Sequence, residues 1–307
     1  MFVFHPLSED TRARLAGGGL DPDAVAVLVR ATVAEDLAGG SDVTSMATVP
    51  ASQRSAASFG ARQPGCLAGL PIAAAVVDAV CGPDASGFTY LRHDGDRVVA
   101  GEVVARVEAP TRLLLTAERS ALNLLCHLSG VATATAAWVD AIEGTGAVIR
   151  DTRKTMPGLR AVEKYAVRCG GGQNHRMALS DAALVKDNHI AAAGGVAQAF
   201  SAVRRVAADL PIEIEVDSLD DLRVALDAGA DVVLLDNMST AELVEAVETA
   251  RAHAAFTGRA VVLEASGGLT LERAREVAET GVDYLSIGAL THSAPVLDLG
   301  LDLETVL

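Results

Sequence analysis

Residues 212–268 read IEIEVDSLDDLRVALDAGADVVLLDNMSTAELVEAVETARAHAAFTGRAVVLEASGG. Three short apolar runs, IEIEV, DVVLLD and VVLEAS, are separated by stretches whose apolar residues recur at helical spacing. That alternation is the pattern of βα units around a parallel sheet. The rhythm extends outward in both directions, to AVIRD at 147–151 and AALVKD at 182–187, and to DYLSIG at 283–288. The chain is therefore expected to be of α/β class, with these units forming a (β/α) barrel.

Polar residues gather at the C-terminal ends of the runs. They are Arg153 and Lys154, Lys186 to Asn188, Glu215, Asp236 and Asn237, Ser266 with Gly267 and Gly268, and then Gly288. In a (β/α) barrel those ends meet at one mouth, where side chains from different strands surround a ligand. Any one of them could simply begin a loop; six in register point to a site.

The N-terminal part has a different texture. Asp21 to Leu37 carries helical periodicity, RSAASFGAR (54–62) alternates as a half-buried strand, and AGLPIAAAVVDAVCG (68–82) reads as a buried helix. GFTYLRHDGDRVVAGEVVARVEAPTRLLL (87–115) reads as several strands joined by Asp-Gly and Ala-Gly turns. The stretch DGDRVVAGEVVARVEA is similar to biotinyl-type carrier domains, but it has no lysine to modify. TAERSALNLLCHLSGVATATAAWVDAIEG (116–144) is a helix long enough to bridge two domains. The expected division is an N-terminal α/β sandwich-like domain over 1–127, rejoined by the tail 293–307, and a barrel domain over 128–292.

The chain has 307 residues, half of them hydrophobic, which allows a barrel plus a smaller domain. Its apolar runs fall short of a membrane span, and its first residues lack the basic flank and apolar core of a signal peptide, so a soluble, cytoplasmic protein is expected. Cys66, Cys81, Cys126 and Cys169 show no CxxC spacing, which indicates neither disulfides nor zinc. A formal charge of -15 opposes binding to nucleic acid or to an anionic membrane.

One segment reverses that charge. Between Arg150 and His189 stand eight basic residues and four acidic ones. Lysine occurs three times in the chain, at Lys154, Lys164 and Lys186, all within this segment, as if a guanidinium could not replace a compact ammonium there. The segment suits a small anionic substrate.

DTRKTMPGLRAVEKYAVRCGGGQNHRMALSDAALVKDNHI (151–190) resembles the signature of the quinolinate phosphoribosyltransferases (nicotinate-nucleotide diphosphorylase, carboxylating). EDL (35–37), DVTS (42–45), AERSALNLLCHLSGVATAT (117–135), IEIEV, LLDN, EASGG and LSIGALTHS (285–293) resemble further family motifs, in family order. Ala178 departs from a usual glycine and Ser180 from a usual tyrosine or glycine, which concerns local loop shape. The resemblance implies an incomplete (β/α) barrel of the type II phosphoribosyltransferase kind, acting in NAD biosynthesis.

It also implies roles. Arg153, His175, Arg176 and Lys186 of one subunit, with Arg119 of its neighbour, would clamp the two carboxylates of quinolinate. Lys154, Asn188, Glu215, Asp236, Ser266, Gly267, Gly268 and Gly288 would bind phosphoribosyl pyrophosphate, the glycines by letting backbone amides approach a phosphate. Glu215 and Asp236 would hold Mg²⁺, directly or through water. Lys154, Lys186, Glu215 and Asp236 form the expected catalytic set, while Lys164 and Tyr165 read as scaffold. A homodimer or higher oligomer is implied, with no nucleic-acid or membrane partner. Three alternatives stand beside this reading: a Schiff-base lyase built on Lys186, a sister enzyme acting on nicotinate, and a silent pyridine-binding sensor.

Overall fold

The computed structural model describes residues 2–306. They form two compact units. One comprises the chain up to Ala136, Met156–Gly171 and the tail from Ser293; the other comprises Ala137–Thr155 and Gly172–His292. The division passes nine residues beyond the expected 127/128 boundary, and it assigns the helix Arg160–Cys169 to the first unit, although in sequence that helix lies between two barrel strands.

In the first unit, four antiparallel strands run in the order Leu299–Val306, Arg54–Ala61, Val103–Pro110, Gly87–Tyr90. The tail strand thus completes an edge of the N-terminal sheet. Its helices begin where side chains can cap them: Ser8 accepts from Thr11 N ahead of Glu9–Gly17, and Asp21, followed by Pro22, accepts from Asp23 N ahead of Pro22–Leu37. The helix Leu70–Cys81 is buried at every position except Pro71, as its apolar composition, interrupted only by Asp78, requires. It has no cap of its own; Asp94 instead accepts the N–H groups of Gly69 (2.7 Å) and Leu70 (3.0 Å).

The helix Thr111–Ala141 is long and apolar enough to cross a membrane by length and composition, a property the reading of short apolar runs did not bring out. Most of its apolar window, 61%, is buried inside the protein, as in a core helix.

The second unit is built on six parallel strands. In chain order these are Val148–Arg150, Ala183–Val185, Ile212–Val216, Val232–Asp236, Val262–Ser266 and Tyr284–Ser286, the six runs read from the sequence. In space the first pairs with the sixth, then follow the fifth, fourth, third and second. The first and second strands lie at opposite edges and do not pair, so the barrel is incomplete.

Period-two alternation sorts each strand. Ile149, Val185, Ile214, Val216, Val233, Leu235, Leu263, Ala265 and Leu285 are buried apolar positions. Between them lie Arg150, Glu213, Glu215, Asp236, Glu264, Ser266 and Ser286. The register aligns Arg150 with Ser286, Ser286 with Ser266, and Ser266 with Asp236. Polar residues from several strands therefore form one layer at the C-terminal ends.

Candidate active site

At those ends lies a cavity of about 580 Å³, lined by residues of the second unit alone. Arg153, Lys154, His175, Arg176, Lys186, Glu215, Asp236, Ser266, Gly267 and Gly268, all proposed from sequence, line it together. Thr152, Leu184, Leu234, Asn237, Glu264 and Ser286 complete the wall.

Basic and acidic residues divide the cavity. Lys186, just past the second strand, pairs its ammonium with Glu215 of the third. The Lys186 side chain is thus committed to a carboxylate of the neighbouring strand, which speaks against the Schiff-base alternative. Lys154 is held by its backbone: its N–H donates to Thr152 Oγ1 (3.0 Å), and its carbonyl accepts from Thr291 Oγ1 (2.8 Å). Arg176 donates from Nη1 to the Ala182 carbonyl (2.9 Å). Burial, and next the Arg153 guanidinium, push Arg176 below its ordinary value. Two like charges held this close favour an anion between them.

The glycines have specific work. Gly267 has φ +89°, and a Cβ there would lie 2.3 Å from Asn237 Oδ1. Asn237 itself has φ +55° and donates its N–H to the Ser266 carbonyl (2.9 Å), so the fourth and fifth strand ends lock into one corner. A Cβ on Gly288 would stand 3.0 Å from Lys154 Cδ. Gly288 thus leaves room for the Lys154 side chain.

Beneath the cavity lies a buried polar cluster. His175 Nε2 is 2.8 Å from Glu213 Oε2 and 3.6 Å from Glu264 Oε1. Arg150 Nη1 donates to Glu264 Oε2 (2.6 Å) while its guanidinium stacks over Tyr284 at 4.2 Å, and Ser286 donates to Glu264. Desolvation, and next the charge of Glu213, push the Glu264 carboxyl up. His175, Glu213 and Glu264 have the composition of a metal site and place ligand atoms within 4.8 Å of one another. However, His175 Nδ1 accepts the Arg176 N–H (2.7 Å) and Nε2 lies against Glu213 (2.8 Å), so both ring nitrogens already have partners in the protein.

Residues 42–129 match the family described as Quinolinate phosphoribosyl transferase, N-terminal domain, and residues 131–302 match its C-terminal domain. The chain belongs to the quinolinate phosphoribosyltransferase family. It is 51% identical over 281 residues to the nicotinate-nucleotide pyrophosphorylase [carboxylating] of Mycobacterium leprae, covering 92% of this chain and 98% of that one. It is 40% identical to the human protein of the same name, covering 92% and 93%. The solved nicotinate-nucleotide pyrophosphorylase of Francisella tularensis superposes with a TM-score of 0.85 at 39% identity, over 92% of this chain and 96% of that one.

Three residues expected from the family resemblance lie elsewhere. Arg119 belongs to the first unit, on the helix Thr111–Ala141. Asn188 is exposed at the start of the helix Asp187–Ala193, with its N–H donated to Asp187 Oδ1 (2.7 Å). Gly288 is outside the lining, against Lys154. The loop carrying the family departures Ala178 and Ser180 is closed by Asp181, whose carboxylate accepts the N–H groups of Met177 (2.6 Å) and Ala178 (3.2 Å). Sequence reasoning missed Glu213 and Glu264. Their signal was alternation: Glu213 shares a strand face with Glu215, and Glu264 with Ser266.

Proposed function

We propose that this chain transfers the phosphoribosyl group of phosphoribosyl pyrophosphate to quinolinate with decarboxylation, giving nicotinate mononucleotide, diphosphate and CO₂ in NAD biosynthesis. The observation that carries this reading is the composition of one cavity. Arg153, Lys154, Arg176 and Lys186 are gathered there with the carboxylates of Glu215 and Asp236. The cations suit a dicarboxylate and a diphosphate, and the acids suit a ribose that becomes cationic at C1.

In this mechanism Arg153 and Arg176 bind and orient the quinolinate carboxylates, so that the pyridine nitrogen faces C1 of the ribose. Lys154 balances the charge that builds on the departing diphosphate. Glu215 and Asp236 stabilise the oxocarbenium-like centre as the C1–oxygen bond breaks and the C1–nitrogen bond forms. Lys186 holds Glu215 in place through their ion pair. Once the ring nitrogen is cationic, it stabilises the electron pair left on the adjacent ring carbon when that carbon's carboxylate leaves as CO₂, and a proton then adds to the same carbon.

The carboxylate oxygens of Glu215 and Asp236 are hard donors and fit Mg²⁺. When bound, the ion would neutralise diphosphate charge. The protein acts as a homodimer in this proposal, with Arg119 completing the partner's site, and its place is the cytoplasm; four free cysteines suit a reducing compartment.

The deciding assay follows CO₂ release from carboxyl-labelled quinolinate. Release should require both phosphoribosyl pyrophosphate and Mg²⁺. Release without phosphoribosyl pyrophosphate, or turnover undiminished in excess chelator, would contradict the corresponding part of the mechanism; binding without turnover would return the pyridine-sensor alternative. For the dimer, Arg119→Ala and Arg153→Ala should each be nearly inactive. After the two are mixed and re-paired at random, activity should recover to roughly one quarter per site, because half the dimers then hold one intact site.

A further inference from the structure

His175 was expected as one of the countercharges on quinolinate, yet both its ring nitrogens are engaged by the protein. Nδ1 accepts the backbone N–H of Arg176 at 2.7 Å. A ring nitrogen that accepts an amide N–H holds its lone pair there and carries no proton. The ring proton is then on Nε2, which donates to Glu213 Oε2 at 2.8 Å. An imidazolium would aim a second N–H at the Arg176 amide and lose that bond.

The backbone is tied at the same place. The His175 N–H donates to Asp151 Oδ1 (2.8 Å), and Asn174 Nδ2 donates to Asp151 Oδ2 (2.6 Å). Asp151 is fully buried, and Glu213 and His175 are nearly so. Arg150, Glu264 and Arg176 are among the other charged groups around the ring. The segment 174–176 is thus fixed through backbone and ring, and it ends in a side chain that lines the cavity, Arg176.

We infer that His175 is a positioning residue that works as a neutral ring: Glu213 holds the ring, the ring holds the Arg176 backbone, and Arg176 meets the substrate carboxylate. The inference rests on the quinolinate reading for the substrate, but the tautomer does not depend on it. It leaves Arg153, Lys154, Arg176 and Lys186 as the cations of the cavity, and it gives Glu213 a function that its proximity to Glu215 does not explain.

Nitrogen NMR of protein labelled in its histidines tests the tautomer directly, with the His175 signals identified by their loss in His175→Asn. One protonated and one unprotonated ring nitrogen are expected, both in the free protein and with quinolinate added. Two protonated nitrogens with quinolinate bound would overturn the inference. Kinetics give an independent test, because Asn has an oxygen close to the place of Nδ1 and can accept the Arg176 N–H. His175→Ala should raise KM for quinolinate about tenfold with kcat little changed, and His175→Asn should recover most of that loss. Likewise Glu213→Gln, which still accepts a hydrogen bond, should exceed Glu213→Ala. Equal loss in the Asn and Ala variants would mean that charge is what matters at position 175. If the wild-type protein does not turn over quinolinate at all, the substrate reading fails, while the NMR result still decides the ring.

Discussion

The two units bury polar groups in opposite ways. In the first, buried and half-buried acids bind the structure to itself. Asp78 accepts the Ser8 N–H (3.0 Å), Asp94 caps the start of Leu70–Cys81, and Glu163 accepts the Met156 N–H (3.1 Å) and bonds His127 (2.8 Å). In the second, Glu213 and Glu264 are packed side by side under a cavity, with Arg150 and His175 as their partners. A buried acid that fills a backbone need is stabilising; two adjacent buried acids are costly unless cations and donors meet them. The barrel interior keeps its charges for a ligand, at some expense in stability, and the N-terminal unit supplies a more conventional apolar core.

If that contrast holds, substitutions in the two units should separate activity from stability. The largest expected effect on activity is at Glu215. Glu215→Ala should lower kcat by about 10²-fold or more, because the lost charge matters chiefly as the oxocarbenium develops, while KM for quinolinate changes little. Steady-state kinetics in both substrates would show it; a raised quinolinate KM with kcat intact would assign Glu215 to binding instead. Lys186→Arg should also be damaging, since a planar fork cannot replace a compact ammonium against Glu215.

The largest stability effect is expected below the site. Arg150→Ala removes the partner of the fully buried Glu264 and should cost about 3–5 kcal/mol, measured by denaturant unfolding. Replacing both members, Arg150→Met with Glu264→Gln, should cost less than Arg150→Ala alone. If the double variant is worse, the pair contributes net stability and the contrast between the units weakens. In the apolar unit, Ile72→Ala should cost about 2–5 kcal/mol through the cavity it leaves, with kcat of the folded fraction unchanged.

The six barrel strands were legible because period-two apolar runs and helical spacing are local signals, and they were found at the positions read. The clustering of polar residues at one end of the strands was legible for the same reason. The helix Arg160–Cys169 shows where local signals end. Its sequence position says crossover, but its packing is decided by partners far along the chain, among them Asp94 and Gly18, which bond Tyr165 and Arg168. Glu213 was hidden differently: alternation puts it on the Glu215 face, but only the fold brings it to His175, 38 residues earlier in the chain.

The smallest effect is expected at Tyr165, whose hydroxyl donates to Asp94 Oδ2 at 2.6 Å. Burial pushes the Asp94 carboxyl above the usual carboxylate range, while Tyr165 and the Gly69 and Leu70 amides pull it back. With a raised folded value, the contribution of Asp94 to stability is fully present below the ordinary carboxylate range and is lost as pH rises through the folded value. Tyr165→Phe removes one of the groups that offset this loss. The variant should therefore be close to wild type in acid, where the carboxyl is protonated, and destabilised by about 1–3 kcal/mol at neutral pH, the usual scale for a hydrogen bond to a charged group. Denaturant unfolding of both proteins at the two pH values measures the difference, and hydrogen exchange at Gly69 and Leu70 shows whether it is local. A cost that is equal at both pH values, or larger in acid, would mean that Tyr165 acts through packing and that Asp94 holds the helix start without it.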